Sequence, residues 1–201
     1  MSHYFDEAPS LPSERATISV TIRGKERDFE TAPGVFARDG LDKATAILLD
    51  YCDPPPAGTT VLDLGCGWGP IAVTLSVAGA EVHAIDINER ARELTRANAS
   101  RHDVAVTVLA PTDVPVEKTF DQIWSNPPIR IGKEALHELL LTWLPRLNPG
   151  GLAYLVVGKN LGADSLQRWL IEQGWPTERL HSAKGFRILR VRRSDALPEP
   201  A

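Results

Sequence analysis

The chain has 201 residues, 43% of them hydrophobic and 24% charged, enough to bury one substantial core in a single domain. A formal net charge of -4 excludes a global positive field, so any contact with nucleic acid must use a local patch. The two cysteines, Cys52 and Cys66, match no metal-ligand spacing and point to a reducing, cytoplasmic setting, and no window approaches the ~20 apolar residues of a membrane span.

Residues 1–14 are polar and Pro-interrupted, and residues 194–201 end Leu-Pro-Glu-Pro-Ala, so both ends are expected to be flexible around one domain at 15–193. Asp6, Glu7 and Pro9 stand where an export signal would need a basic stretch and an apolar run. Between Ala16 and Glu30, Ile18, Val20 and Ile22 alternate with polar residues around a Gly-containing turn, which predicts a short hairpin within 15–32. Leu41, Ala44, Ile47, Leu48 and Tyr51 then recur at helical spacing until Pro54-Pro55-Pro56 stops the helix.

A regular alternation follows. Val61–Leu64 reads as a buried strand, Ile71–Ala78 as a helix, Glu81–Ile85 as a strand, Glu89–Ala99 as a helix, and Val104–Leu109 and Phe120–Trp124 as strands. Leu136, Leu139, Leu140, Trp143, Leu144 and Leu147 form the stripe of another helix, which Asn148-Pro149-Gly150-Gly151 is expected to end before a strand at Leu152–Val157. Leu166, Trp169 and Leu170 mark a last helix, closed by Gly174. Glu178–Ser182 and Phe186–Val191 read as a hairpin turning at Lys184-Gly185. The pattern predicts an α/β fold: a doubly wound, mostly parallel Rossmann-like sheet of about seven strands with a C-terminal antiparallel hairpin, plus the short N-terminal hairpin. Ligands of such sheets bind at the carboxyl ends of the strands.

Directly after the first of these parallel strands comes Asp63-Leu64-Gly65-Cys66-Gly67-Trp68-Gly69, and Asp86 ends the next strand 21 residues beyond Gly65. Glycines let a backbone approach a ligand closely, and an acid ending the second strand can accept from both hydroxyls of a ribose. A dinucleotide prefers Gly-x-Gly-x-x-Gly, and Asp63 would repel its pyrophosphate. S-adenosylmethionine suits better, because its sulfonium and ammonium are cationic and it has no phosphate. Asp113, after the third strand, stands where a group can meet an adenine amine. Cys66 and Trp68 read as residues that shape the turn, and His83 and His137 as packing or surface residues. No metal site emerges.

Phe120-Asp121-Gln122-Ile123-Trp124-Ser125 runs straight into Asn126-Pro127-Pro128-Ile129. Two prolines fix φ and exclude helix, so the Asn126 side chain and the Pro127 carbonyl can be held at the ligand edge of the sheet as two hydrogen-bond acceptors. An exocyclic amine conjugated to a ring is a poor nucleophile. Two acceptors on its hydrogens favour the pyramidal geometry in which its lone pair attacks a methyl group, with no strong base required.

Together, the Asp63–Gly69 turn and Asn126-Pro127-Pro128-Ile129 resemble the amino-directed Rossmann-like methyltransferases. Gly34-Val35-Phe36-Ala37-Arg38-Asp39-Gly40-Leu41-Asp42, residues Asn126–Lys133, and Lys184-Gly185-Phe186-Arg187 are similar to the small-subunit ribosomal RNA guanine-N2 methyltransferase family, over roughly Ile18–Arg192. That resemblance implies a cofactor site at Asp63, Gly65, Gly67, Asp86 and Asp113, with Thr45 beside it, and target-amine contacts at Asn126 and Pro127. It implies ribosomal RNA or the small ribosomal subunit as partner, with no membrane and no metal. Phe36 and Ile129 would face the target base. Many amino methyltransferases have Tyr or Phe where this chain has Ile129, which leaves Phe36 as the stacking candidate. Lys184, Arg187, Arg190, Arg192 and Arg193 cluster near the C-terminus, and Arg130 and Lys133 follow the clamp, so together they would form a phosphate-binding rim. Adenine N6 and a protein glutamine amide are alternative targets of such a clamp. A non-catalytic RNA-binding module and a nicotinamide-dependent oxidoreductase are alternatives of other classes.

Overall fold

A computed structural model describes residues 14–128 and 131–193; the expected flexible ends therefore lie almost wholly outside the described residues, as do Ile129 and Arg130. β1 (Ala16–Ile22) and β2 (Lys25–Thr31) pair antiparallel as a separate two-stranded sheet, turning at Arg23 and Gly24 with φ of 50° and 73°. Two side chains dock this hairpin. The Arg23 guanidinium donates to Leu49 O at 2.6 Å and Cys52 O at 2.9 Å, satisfying carbonyls at the end of α1 (Lys43–Tyr51). The Asn98 amide accepts from Glu30 N at 2.6 Å and donates to Glu30 O at 2.9 Å, tying β2 to α3 (Glu89–Arg101).

The main sheet holds β3 (Thr60–Leu64), β4 (Glu81–Ile85), β5 (Val106–Leu109), β6 (Phe120–Ser125), β7 (Leu147–Gly158), β8 (Thr177–Ala183) and β9 (Phe186–Arg192), in the order β5-β4-β3-β6-β7-β9-β8. β5 through β7 are parallel; β9 pairs antiparallel with both β7 and β8. The expected doubly wound α/β sheet with a C-terminal antiparallel hairpin is therefore present. Because successive strand residues face opposite sides, Val61 enters one core while Leu62 and Leu64 enter the other. α1, α2 (Pro70–Val77), α3 and the hairpin cover the first face; α4 (Lys133–Trp143) and α5 (Ala163–Glu172) cover the second.

The chain winds outward from β3 through β4 to β5, then returns to β6 on the other side of β3, which opens a crevice between the carboxyl ends of β3 and β6. Ser125 Oγ ties those ends by donating to Leu64 O at 2.6 Å. One element departs from the sequence reading. α4 stops at Trp143, Pro145 sits in a single 3-10 turn, and β7 begins at Leu147 and not at Leu152. Asn148-Pro149-Gly150-Gly151 is carried inside the strand as an irregularity opposite Phe120–Gln122, where Asp121 Oδ1 accepts from Asn148 Nδ2 at 2.7 Å. Among the described residues, no helix is long and apolar enough to cross a membrane.

Candidate active site

A cavity of about 420 Å³ occupies the crevice. Its floor is the turn after β3. Gly65 and Gly67 line it with φ of 82° and 58°, a left-handed backbone that L side chains rarely adopt, and a Cβ on either would project into open space. The turn is therefore both forced to glycine and left uncovered. Its backbone donors, however, are already engaged. Gly65 N and Cys66 N both donate to Ile85 O at 2.9 Å, Gly67 N donates to Asp86 Oδ2 at 3.0 Å, and Gly69 N donates to Cys66 O at 2.9 Å. Pro70 opens α2 without an N–H, and Ala72 N is taken by Asp63 Oδ2 at 2.9 Å. A pyrophosphate bound at a helix N-terminus needs those N–H groups. This turn withholds most of them and presents a carboxylate instead, which disfavours the nicotinamide dinucleotide reading.

Asp63 is fully buried and does not line the cavity; Leu64 and Gly65 form the wall beside it. The expected direct meeting with a cofactor cation is corrected on this point, since the carboxylate braces α2 from beneath the turn. Its Oδ1 is buried with no hydrogen-bond partner among the described residues. Burial pushes the carboxyl up to about 8, the Ala72 N–H opposes this, and the nearby Asp86 charge adds to it. Asp86 does line the cavity, where Oδ1 accepts from Asn88 N at 2.9 Å and Oδ2 from Gly67 N. Burial raises its pKa, and the Asn88 and Gly67 N–H groups pull it back. Each oxygen keeps a further lone pair, so the carboxylate can also accept from a diol. Asp113 is exposed at the end of the 3-10 turn Pro111–Asp113; Pro111 lines the cavity and Asp113 does not.

Residues 33–40 close one side. Asn88 Nδ2 donates to Gly34 O at 2.8 Å, Arg90 to Pro33 O at 2.7 Å, and Trp68 Nε1 to Ala37 O at 3.2 Å. The segment is thereby pinned beside the glycine turn with Phe36 at the cavity mouth, 41% exposed.

Asn126, Pro127 and Pro128 line the facing wall. The Asn126 amide is oriented by its neighbours. Nδ2 donates to Asp42 Oδ2 at 2.9 Å and to Thr45 Oγ1 at 3.1 Å. A carboxylate can only accept, so the nitrogen must face Asp42, and both amide hydrogens are spent there. Oδ1 is left as an acceptor without a partner among the described residues. Thr45, expected beside the cofactor, is buried behind Asn126 and also lines the cavity. Asp42 was not singled out from the sequence; its only local signature is that of a helix N-cap, borne out by its acceptance from Ala44 N at 2.8 Å and Thr45 N at 3.1 Å. Leu161 and Phe186 also reach the cavity from beyond β6 without having been expected there.

The expected phosphate rim changes at several residues: Arg193 is buried and donates to Pro145 O at 3.0 Å and to Leu147 O, and Arg190 donates to Glu178 Oε1 at 2.7 Å. Arg187 is buried and ion-paired with Asp164, a half-exposed acid that also accepts from Arg179 at 2.9 Å, so its charge is committed to that pair. Lys133 is exposed at the start of α4. Lys43, Lys159 and Lys184 are exposed as well, and each of these four lysines lies within two residues of one that lines the cavity. Burial holds the Cys66 thiol well above its ordinary value, which keeps it neutral and unreactive. His83 meets Phe120 edge-on at 5.5 Å between centroids, and His137 stacks on Trp169 at 3.5 Å. Among the described residues, no group of three or more His, Cys, Asp or Glu could hold a metal ion.

Comparison with known proteins bears on this geometry. The family model described as methyltransferase small domain matches residues 26–190. A Bacillus subtilis protein named only as uncharacterized protein YbxB is 32% identical over 197 residues, covering 95% of this chain and 98% of that one. Ribosomal RNA small subunit methyltransferase C of Klebsiella pneumoniae is 37% identical over 130 residues, covering 61% of this chain and 38% of that one. Among solved structures, a T. thermophilus 16S rRNA N2 methyltransferase in complex with AdoMet and guanosine superposes with a TM-score of 0.80 at 27% identity, covering 92% of this chain and 52% of that one. The chain thus spans nearly all of the B. subtilis relative but only about half of the solved neighbour.

Proposed function

The chain belongs to the methyltransferase small domain family, and from that premise we propose that it transfers a methyl group from S-adenosylmethionine to N2 of a guanine in small-subunit ribosomal RNA. The residues present fit the cofactor. Gly65 and Gly67 leave open floor, Asp86 offers acceptors for a ribose diol, and the buried, unpartnered Asp63 Oδ1 beneath the turn supplies latent negative charge for a cationic ligand. When bound, S-adenosylmethionine supplies an electrophilic methyl on a positively charged sulfur.

The protein's own contribution is orientation. Asn126 Oδ1 and the Pro127 carbonyl accept from the two hydrogens of the target amine, directing the nitrogen lone pair toward the methyl. Gly65, Gly67 and Asp86 would hold the cofactor, which would supply its methyl to that nitrogen, and the amine proton would then leave to solvent. No side-chain base is needed, and Phe36, Pro128 and Trp143 give the cavity apolar walls. The observation that carries this reading is the Asn126 amide, whose hydrogens are both consumed by Asp42 and Thr45.

The test incubates the protein and tritiated cofactor separately with unmodified small-subunit RNA, assembled subunits and release factor, followed by nucleoside and peptide mass analysis. N2-methylguanosine is expected. N6-methyladenosine or methylglutamine without it would overturn the guanine assignment, and no transfer to any substrate would favour a binding module.

A further inference from the structure

We propose that Asp42 is a positioning residue for methyl transfer, fixing and polarising the Asn126 amide from the start of α1. The inference rests on the reading of Asn126 as the acceptor for the target amine. One oxygen, Asp42 Oδ2, accepts from three donors: Ala44 N at 2.8 Å, Thr45 N at 3.1 Å and Asn126 Nδ2 at 2.9 Å. The first two hold that oxygen in place through the rigid first turn of a helix, so the third is aimed by backbone and not by a free rotamer. Thr45 Oγ1, one turn into the same helix, takes the other amide hydrogen. Asn126 therefore cannot flip without facing its oxygen to a carboxylate. Such a flip would place two acceptors in contact and leave the amide nitrogen toward the cavity, where it would repel the hydrogens of an amine.

The charge does further work. A carboxylate accepting from Nδ2 strengthens the amide dipole, and chains of hydrogen bonds polarise one another in this sense, so Oδ1 becomes a stronger acceptor. A strand end and a helix start 84 residues apart in sequence thus form one unit. The same unit explains why Asp42 and Thr45 both border the cavity while neither needs to touch the target.

Ser, Asn and Asp cap helices about equally well, which separates positioning from folding. Asp42→Asn keeps the cap and an oxygen for Asn126 but removes the charge; Asp42→Ser keeps the cap and falls short of Asn126. The expected result is kcat falling a few-fold for Asp42→Asn and ~10- to 100-fold for Asp42→Ser, the latter within the scale of losing a preorganised catalytic contact. Cofactor Kd and melting temperature should stay near wild type. Thr45→Val should lower kcat by a smaller factor, and Asp42→Ser added to Asn126→Ala should cost little beyond Asn126→Ala alone, as members of one unit do. Wild-type kcat in Asp42→Ser while Asn126→Ala is impaired would overturn the positioning role. So would losses of kcat, cofactor affinity and melting temperature in step. Full activity in Asn126→Ala would instead overturn the underlying reading of the clamp.

Discussion

The two walls of the cavity are built in opposite ways. The glycine-turn wall is made of backbone whose N–H groups are turned inward, to Ile85 O, Asp86 and Asp63, so it meets a ligand with open space and one carboxylate. The Asn126 wall is made of side chains whose donors are turned away, to Asp42 and Thr45, so it meets a ligand with acceptors. Both walls hide donors and expose oxygen. That shared polarity suits a cationic cofactor on one side and an amine on the other, and it is hostile to anions on both. The difference is in what a mutation can reach. On the proposed reading, the first wall holds the cofactor and the second acts only once it is bound.

Removing the exposed acceptor of the second wall gives the largest expected effect. Asn126→Ala should lower kcat by ~10²- to 10³-fold, the scale for one preorganised polar group in a catalytic site, with the cofactor Kd unchanged within about two-fold. Calorimetry and single-turnover transfer measured on the same preparation separate the two quantities. Equal losses in binding and turnover would erase the distinction between the walls.

The first wall should respond in the reverse sense. Asp86→Ala removes the acceptors available to the ribose together with those for Gly67 N and Asn88 N. Losing a hydrogen bond to a charged group costs about 1.5–3 kcal/mol, so the cofactor Kd should rise ~10- to 150-fold, with turnover at saturating cofactor much less affected. A normal Kd by titration calorimetry would remove Asp86 from the cofactor site.

Asp63 sharpens the comparison through pH. Burial raises its folded-state pKa to about 8, while an unfolded carboxylate titrates near ~3.9. Between those values the folded state holds a proton that the unfolded state lacks, so stability present below the unfolded value is lost progressively as pH rises toward 8. Asp63→Asn carries no such proton. Its melting temperature, relative to wild type without ligand, should therefore climb from pH 5 to 8. At pH 7 a cationic cofactor favours the ionised carboxylate, so wild type should release more protons on binding than Asp63→Asn, as read by calorimetry in buffers of different ionisation enthalpy. A parallel pair of pH profiles, or equal proton release, would show that Asp63 only braces α2.

The same contrast decides what could be read from the chain alone. The glycine wall is local: Gly65, Gly67 and Asp86 sit at strand ends that hydrophobic alternation locates, and a positive φ leaves glycine little competition. Asp63 was visible as a residue, but its inward direction depends on which face of β3 looks at α2, and its role shifted accordingly. In the Asn126 wall the Asn-Pro-Pro turn was legible because prolines restrict the backbone. Asp42 was not, since a helix cap and a clamp support share one local signature and only the fold brings residues 42 and 126 together. Arg187 misled for a related reason. Charge pattern places cations near a site, but burial against Asp164 is a long-range outcome. The strand start at Leu147 was hidden because Pro149 and Gly150 read as punctuation, although a bulge carries them within the strand.

The smallest expected effect lies at the rim where the two walls meet solvent. Lys133, Lys159 and Lys184 are exposed, and no ion pair involves them among the described residues, whereas Arg187 is committed to Asp164. Lys159 and Lys184 are neighbours, since Lys159 N donates to Gly185 O at 2.8 Å. If the substrate is RNA, a phosphate at this corner would release counterions on contact, and losing one such contact lowers the slope of log K against log salt by ~0.7 for a single strand. Lys184→Glu should therefore weaken RNA binding a few-fold at low salt, flatten the salt dependence by about one contact, and leave the cofactor Kd alone. Arg187→Glu should behave differently, because it places a second acid against Asp164 in a buried setting; loss of melting temperature, not of salt slope, is expected. Filter binding across a salt series on both variants, beside thermal melts, tests the pair. An unchanged slope for Lys184→Glu would move the phosphate path away from the β8–β9 turn, and a stable Arg187→Glu with a flattened slope would return it to Arg187.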